Sequence, residues 1–145
     1  MNTKNKAVKE LASPASCRVS LMPVMPQING VQVKINGVVT EQTALYDYSI
    51  QDTDVIELEV LVNAPTDLNA EDSFTYQWKS TPDATPDYDL KDDDQNDIEI
   101  TGATEKTYQF NGSEMPDTGR YYCVVSYTKN KETITDNSGL VRLNK

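Results

Sequence analysis

The chain has 145 residues and a net charge of −10, with 13 basic and 23 acidic residues, no histidine and two cysteines. This length predicts one domain with a sizeable core, and 37% hydrophobic residues are too many for a disordered chain. The acidic balance disfavours nucleic acid as a partner, and no run approaches the roughly 20 apolar residues of a membrane-spanning helix. Without histidine, Ser-His-Asp, Cys-His and histidine–metal chemistry are excluded, so we predict a non-enzymatic protein without a cofactor.

Residues 1–17 are predicted to form a basic arm. Residues 1–18 have a net charge of +3, because Glu10 is set against four basic residues, namely Lys4, Lys6, Lys9 and Arg18. This charge favours electrostatic docking on an acidic partner, and a disordered terminus that only aids solubility is the alternative. The arm lacks the apolar core of a secretory signal, from which we expect the protein to fold in the cytosol.

Residues 18–43 are predicted to form a small β-meander that anchors the protein together with the arm. Asn29-Gly30 and Asn36-Gly37 each lie between apolar and β-branched residues, which is the strongest short-range signal for a hairpin turn. Between the two pairs, apolar residues alternate with polar ones and give the strand one buried face, formed by Val31, Val33 and Ile35.

From residue 44 onward, short apolar stretches alternate with polar loops. The clearest strand is 55–62, whose predicted buried face consists of Ile56, Leu58, Val60 and Val62. Further strands are predicted at 44–50, 73–80, 98–100, 107–110, 120–128, 133–136 and 138–144. In total, about seven to nine short antiparallel strands without a long helix are typical of an all-β sandwich.

Three features make this fold class more specific. Trp78 lies in the middle of a strand, residues 100–110 form a turn and a strand, and residues 117–123 have the form D-x-G-x-Y-x-C. With these residues the chain resembles immunoglobulin-superfamily domains, in particular the intermediate-set-like domains of bacterial and phage proteins. The resemblance covers 44–144, and we assign 44–145 to an immunoglobulin-like domain.

The resemblance implies a role for each of these residues. Trp78 would be the core tryptophan of strand C, and Tyr121 the corner tyrosine two residues ahead of Cys123, with its hydroxyl bonded to upstream backbone. Asp117 and Gly119 would shape the tight turn before strand F, with glycine chosen because it tolerates a positive φ.

One departure from the family concerns the core disulfide. The strand B cysteine is missing, and Leu58 or Val60 occupies its place, so that Cys123 faces the tryptophan without its usual partner. Pairing with Cys17 would draw the arm into the core, so both thiols are expected to be free. A core without a disulfide suits folding in a reducing cytosol.

Two groups of residues are candidates for ligand binding. Seven aspartates lie within 83–97, where Asp92, Asp94 and Asn96 are weak candidates for calcium ligands, although the EF-hand glycine and glutamate are absent. A solvated loop or a partner-contacting loop are the alternatives. Tyrosines expected to be exposed, which would stack on sugars or fill an interface unless they are ordinary strand residues, are Tyr46, Tyr48, Tyr88, Tyr122 and Tyr127.

The resemblance also suggests a function. Phage virions carry immunoglobulin-like domains as decorations, and such particles assemble in the host cytoplasm, which agrees with a single domain that lacks an apolar leader. We therefore expect an auxiliary protein of a tailed-phage capsid that binds the major capsid protein or another virion protein and also contacts host glycans. The alternative is a secreted bacterial adhesion or carbohydrate-binding module at the cell surface.

Overall fold

The computed structural model describes residues 23–41, 47–81 and 97–145, and these form an all-β structure. The strands are β1 Ile28–Ile35, β2 Val38–Val39, β3 Asp47–Ser49, β4 Val55–Val62, β5 Ser73–Ser80, β6 Ile98–Glu99, β7 Thr107–Asn111, β8 Thr118–Lys129, β9 Glu132–Asn137 and β10 Val141–Asn144. A short 3₁₀ helix covers Gly112–Glu114. Within the described residues, no helix has the length and hydrophobicity needed to cross a membrane.

The strands form two sheets. The first has the order β2-β1-β4-β7 and is antiparallel throughout. The second has the order β3-β10-β8-β5-β6, and β9 pairs with the part of β8 that β10 leaves open. The expectation of antiparallel strands alone is wrong for one pair, since β3 and β10 run parallel. The chain thus leaves the first sheet after β2, joins the second as β3 and returns as β4.

The core lies between the two sheets. In β4, every second residue from Ile56 to Val62 is buried, which confirms the face predicted from the alternation. The second sheet contributes Trp78 from β5 and Cys123 from β8, which stand directly opposite each other and are both inaccessible to solvent. Because one face of each sheet is apolar, packing the two layers together removes both faces from water.

The segment predicted as a separate meander is part of the first sheet. Residues of β1 pair with β4 from Ile28 to Ile35, and Val33 is 1% exposed in the core. The described part of this segment, 23–41, thus supplies strands β1 and β2 to the first sheet. The sequence pattern showed a strand with one buried face, but it did not show which strand would cover that face.

Only one of the two predicted Asn-Gly hairpin turns is present. Asn36-Gly37 connects β1 to β2, whereas Asn29-Gly30 lies inside β1, where the register with β4 shifts between Ile28 and Val31. This shift is a β-bulge, and Gly30 has a φ of 98°. An extra residue with positive φ suits glycine in a bulge as well as in a turn, so the dipeptide alone did not decide between them.

Candidate interaction surface

The β1–β2 hairpin is held in one conformation by its turn residues. Asn36 has a φ of 54° and Gly37 a φ of 82°, the two successive positive values that a two-residue type I′ turn requires. Lys34 pairs with Val39 and Ile35 with Val38 across the turn. The backbone twist of this turn type matches the twist of the strands, so the hairpin continues the first sheet.

Hydrogen bonds fix the turn to the start of β4. The Asn36 backbone amide donates to the Val55 carbonyl at 2.8 Å, and the Val55 amide donates to the Asn36 side-chain oxygen at 2.9 Å. The Asn36 side-chain nitrogen in turn donates to the Asp54 carboxylate at 2.9 Å. One asparagine thereby joins the hairpin tip to the neighbouring loop through its backbone and both polar ends of its side chain.

Asp54 extends this network to the 3₁₀ helix. Its carboxylate accepts the Gln51 amide at 2.8 Å, and its carbonyl accepts the Gly112 amide at 2.8 Å. A Cβ atom at position 112 would lie 2.1 Å from the Gln51 carbonyl oxygen, so the close approach requires glycine. The hairpin tip, the loop before β4 and the start of the 3₁₀ helix therefore form one rigid end of the molecule.

Exposed valines lie on this rigid end. Val38 is 65% and Val39 53% exposed, and Val55 at the start of β4 is 37% exposed. Val38 and Val39 project from opposite faces of the sheet, and we call the hairpin tip that carries these three residues the hairpin surface. Val39 also lines an open groove of about 430 Å³ with Gln32 and Leu61. Apolar side chains held in fixed positions at a sheet edge lose little conformational entropy when a partner covers them.

The residues assigned to the core by the resemblance are all buried. Trp78, Cys123, Leu58 and Val60 are inaccessible, and the indole nitrogen of Trp78 donates to the Glu105 carbonyl at 2.9 Å. Cys123 is a free thiol, and Cys17 lies outside the described residues. Burial raises the pKa of the Cys123 thiol to about 12, although a backbone hydrogen bond from Gln77 works in the opposite direction.

The turn before β8 differs from the geometry that the resemblance implied. Gly119 does not have a positive φ. Instead, a Cβ atom there would lie 2.6 Å from the Tyr121 ring and 2.8 Å from the Met115 sulfur, so the position must remain free of a side chain. The Tyr121 hydroxyl makes no hydrogen bond to the described residues, contrary to expectation. Asp117 is exposed, and its carbonyl accepts the Lys145 amide at 2.9 Å.

Three tyrosines that were predicted to be exposed are buried. Tyr48 is 5%, Tyr122 0% and Tyr127 6% exposed. The Tyr122 hydroxyl donates to the Asp97 carboxylate, and the Tyr127 ring packs edge-on against Phe74 with centroids 5.8 Å apart. Tyr122 points away from the core on β8, and strand periodicity alone therefore indicated exposure. Tyr46 and Tyr88 lie outside the described residues.

The remaining candidates also fall outside the described part of the chain. These are the calcium candidates Asp92, Asp94 and Asn96 and the basic arm at 1–17. Among the described residues, no group of three or more cysteine or acidic side chains is arranged to hold a metal ion.

Sequence analysis missed the hairpin surface, although a signal for it was present. After a two-residue turn at Asn36-Gly37, the consecutive Val38 and Val39 must point to opposite faces of the sheet. At least one of them therefore faces away from the core. Asp54 carried no signal, because its partners come from three separate segments of the chain.

Comparison of the chain with protein-family models, with curated proteins and with solved structures finds no match.

Proposed function

We propose that this protein is a non-enzymatic, immunoglobulin-like binding domain that attaches to a larger assembly through the hairpin surface. The sheet order supports the immunoglobulin-like assignment. In that assignment β1, β4 and β7 correspond to strands A, B and E, and β5, β8 and β10 to strands C, F and G. Trp78 then stands on strand C beside the cysteine of strand F, as the resemblance requires.

The observation that carries the binding role is the exposure of Val38 and Val39 on a hairpin fixed by the Asn36 network. These two adjacent valines are more than half exposed and lie outside the core cluster. Covering both valines would provide about 1.5–3 kcal/mol of binding free energy, roughly the value for one fully buried aliphatic side chain, because each valine is already partly buried in the free protein. A partner surface therefore explains their position.

The assembly we propose is a tailed-phage capsid, with the major capsid protein or another virion protein as the partner. The basic arm precedes β1 by ten residues, so the charged segment and the β1–β2 hairpin come from one continuous part of the chain. The arm would supply long-range attraction to an acidic shell, and the valines would supply short-range contact. Assembly in the host cytoplasm agrees with a core that has no disulfide.

No observation favours the alternative of a secreted adhesion or carbohydrate-binding module. Of the tyrosines that would stack on a sugar, Tyr48, Tyr122 and Tyr127 are buried, which disfavours a glycan site built on them.

The proposal is tested by recovery of the tagged protein on virions. The full chain is expressed in cells that are producing phage particles, the particles are banded and washed, and bound protein is quantified by mass spectrometry. The variant Val38→Ser/Val39→Ser should be recovered at least about tenfold less than wild type, because the contact loses both valines.

A matched control is Leu68→Ser, which removes a 37%-exposed apolar side chain from the loop at the opposite end of β4. It should bind particles like wild type. Equal recovery of the double valine variant and wild type would refute the role of the hairpin surface. Failure of wild type to remain on washed particles would refute the virion assignment.

A further inference from the structure

Within the part of the chain that the structure describes, strand β7 is an edge strand, and the hydrogen-bonding groups on its outer side can be assigned. Gly112 donates to the Asp54 carbonyl at 2.8 Å, and Val60 donates to the Lys106 carbonyl at 3.2 Å. Because hydrogen-bonded pairs alternate in an antiparallel ladder, Tyr108 and Phe110 also bond to β4. The amides and carbonyls that point away from the sheet are therefore those of Thr107, Gln109 and Asn111.

This edge lacks the features that usually block strand addition. Thr107, Gln109 and Asn111 are exposed and uncharged, and the strand contains no proline. Exposed edges in soluble proteins are commonly protected by lysine, by proline or by a bulge. Within the described residues, β4 is the only strand paired with β7.

An open cleft lies beside the same edge, between β7 and the edge strand β6 of the other sheet. It has a volume of about 410 Å³, and its apolar lining includes Ile98, Ile100, Tyr108, Pro116 and Tyr121. Ile98 is 62% exposed. A strand added to β7 would direct every second side chain towards this cleft, since side chains alternate across a sheet.

The charges beside the β7 edge differ from the charge inside the cleft. Exposed carboxylates follow the edge and the adjoining loops, at Glu99, Glu105, Glu114 and Asp117. The charged residue that lines the cleft itself is Arg120, and Lys106, next to β7, is engaged by Glu59 at 3.5 Å. An occupant that places apolar side chains in the cleft and a basic residue beside the exposed carboxylates is therefore favoured.

We propose that β7 and the cleft bind residues 17–22 from a second copy of this protein. Val19 and Leu21 alternate with Arg18 and Ser20, which is the pattern of a strand with one apolar face. The apolar face would enter the cleft and the arginine would face the acidic rim. The 22 residues ahead of Pro23 are long enough to reach a neighbouring molecule.

The origin of this segment favours exchange between copies. Met25 packs on the core, and the Gln27 carbonyl accepts the Asn63 amide. These two contacts hold the residues just before β1 at the edge of the sheet where β1 and β2 lie. Strand β4 separates that side from β7 of the same molecule. If the β7 strand of a neighbouring molecule faces the β1–β2 edge of the first molecule, residues 17–22 of the first molecule reach it without passing over β4.

The native Cys17 allows a direct test. Thr107→Cys, Gln109→Cys and Asn111→Cys each place a thiol on the exposed face of β7, and oxidised glutathione is added to the purified full chain. We expect at least one of the three to give a disulfide-linked dimer that disappears in combination with Cys17→Ser. Disulfides form only when the two Cα atoms lie within roughly 7 Å.

The control is Thr133→Cys, an equally exposed threonine on edge strand β9, which should give no more dimer than wild type. In sedimentation velocity, deletion of 1–22 should abolish association. Gln109→Pro, which removes an edge amide without breaking the β4 ladder, should weaken association at least about tenfold. A full chain that stays monomeric throughout, or cross-linking as strong at β9 as at β7, would overturn the proposal.

This inference does not rest on the proposed function. The Val38→Ser/Val39→Ser variant should lose particle binding and keep the β7 cross-link, whereas Gln109→Pro should lose association and keep the hairpin surface. Particle binding that survives Val38→Ser/Val39→Ser refutes only the proposed function, and association that survives Gln109→Pro refutes only this inference.

Discussion

At the level of single residues, two glycines occupy positions where a side chain would meet neighbouring atoms. Gly119 is required by the space that the Tyr121 ring occupies, and Gly112 by the approach of the Gln51 carbonyl. Both positions carry glycine for a reason that backbone dihedral angles do not reveal. The D-x-G-x-Y-x-C pattern drew attention to Gly119 and Tyr121. The resemblance implied a positive φ for Gly119 and a hydrogen-bonded hydroxyl for Tyr121, whereas the structure shows close packing of the tyrosine ring against the glycine.

Two substitutions separate these causes. Gly119→Ala should lower the free energy of unfolding by about 1–3 kcal/mol, because its Cβ would overlap the Tyr121 ring and the Met115 sulfur. Tyr121→Phe should cost less than about 1 kcal/mol, since the lost hydroxyl has no partner among the described residues. Urea denaturation of both variants measures these changes. A larger loss of unfolding free energy for Tyr121→Phe than for Gly119→Ala would contradict this account and favour a hydrogen-bonded Tyr121 hydroxyl, as the resemblance implied.

At the level of elements, the strands with regular alternation were predicted well. The bounds expected for β4 and β5 agree with the structure, because each has one apolar face over its whole length. The parallel pairing of β3 with β10 was not predictable, since three residues carry no information about their partner. The hairpin surface was missed for a related reason: the exposure of Val38 follows from the place of β2 at the edge of the first sheet as the described strands form it, which the sequence pattern did not indicate.

The contacts of Asp72 between two loops were likewise not predictable from the sequence. The Asp72 carboxylate accepts the amides of Asn69 at 3.0 Å and Asn130 at 3.4 Å, and it lies 3.5 Å from the Lys129 ammonium. These contacts join the loop before β5 to the turn between β8 and β9. The backbone hydrogen bond from Asn69 is the main reason that the pKa of Asp72 is lowered. Aspartate in a polar loop gave no indication of partners 58 residues away.

The rigidity of the hairpin is tested at Asn36. Asn36→Gly keeps a residue that tolerates a φ of 54° but removes the side-chain bonds to Asp54 and Val55, and should cost about 1 kcal/mol. Asn36→Ala loses the same bonds and also the preference for positive φ, and should cost about 2 kcal/mol. Thermal or urea unfolding gives both values. Equal losses in the two variants would show that the turn conformation contributes nothing.

At the level of the whole molecule, stability depends on a core that must stay uncharged. Burial raises the pKa of two ionisable core groups, Cys123 and Tyr121, to about 12 each. In the unfolded chain their ordinary values are 9.0 and 10.0. Both groups are protonated in both states at neutral pH, where the folded protein has its full stability.

Above the ordinary pKa of the thiol, the unfolded chain releases its protons first, so the free energy of unfolding falls as pH rises. The decline should begin near pH 9 and continue until the folded-state values near 12 are reached. Cys123→Ala removes the thiol contribution, and the slope of stability against pH between these limits should become shallower than in wild type. The measurement is urea denaturation at a series of alkaline pH values. Subtracting the curve of the variant cancels the repulsion among surface carboxylates, which the two proteins share. An identical slope in both would mean that the Cys123 thiol ionises as readily in the folded protein as in the unfolded chain, which its burial between the sheets does not permit.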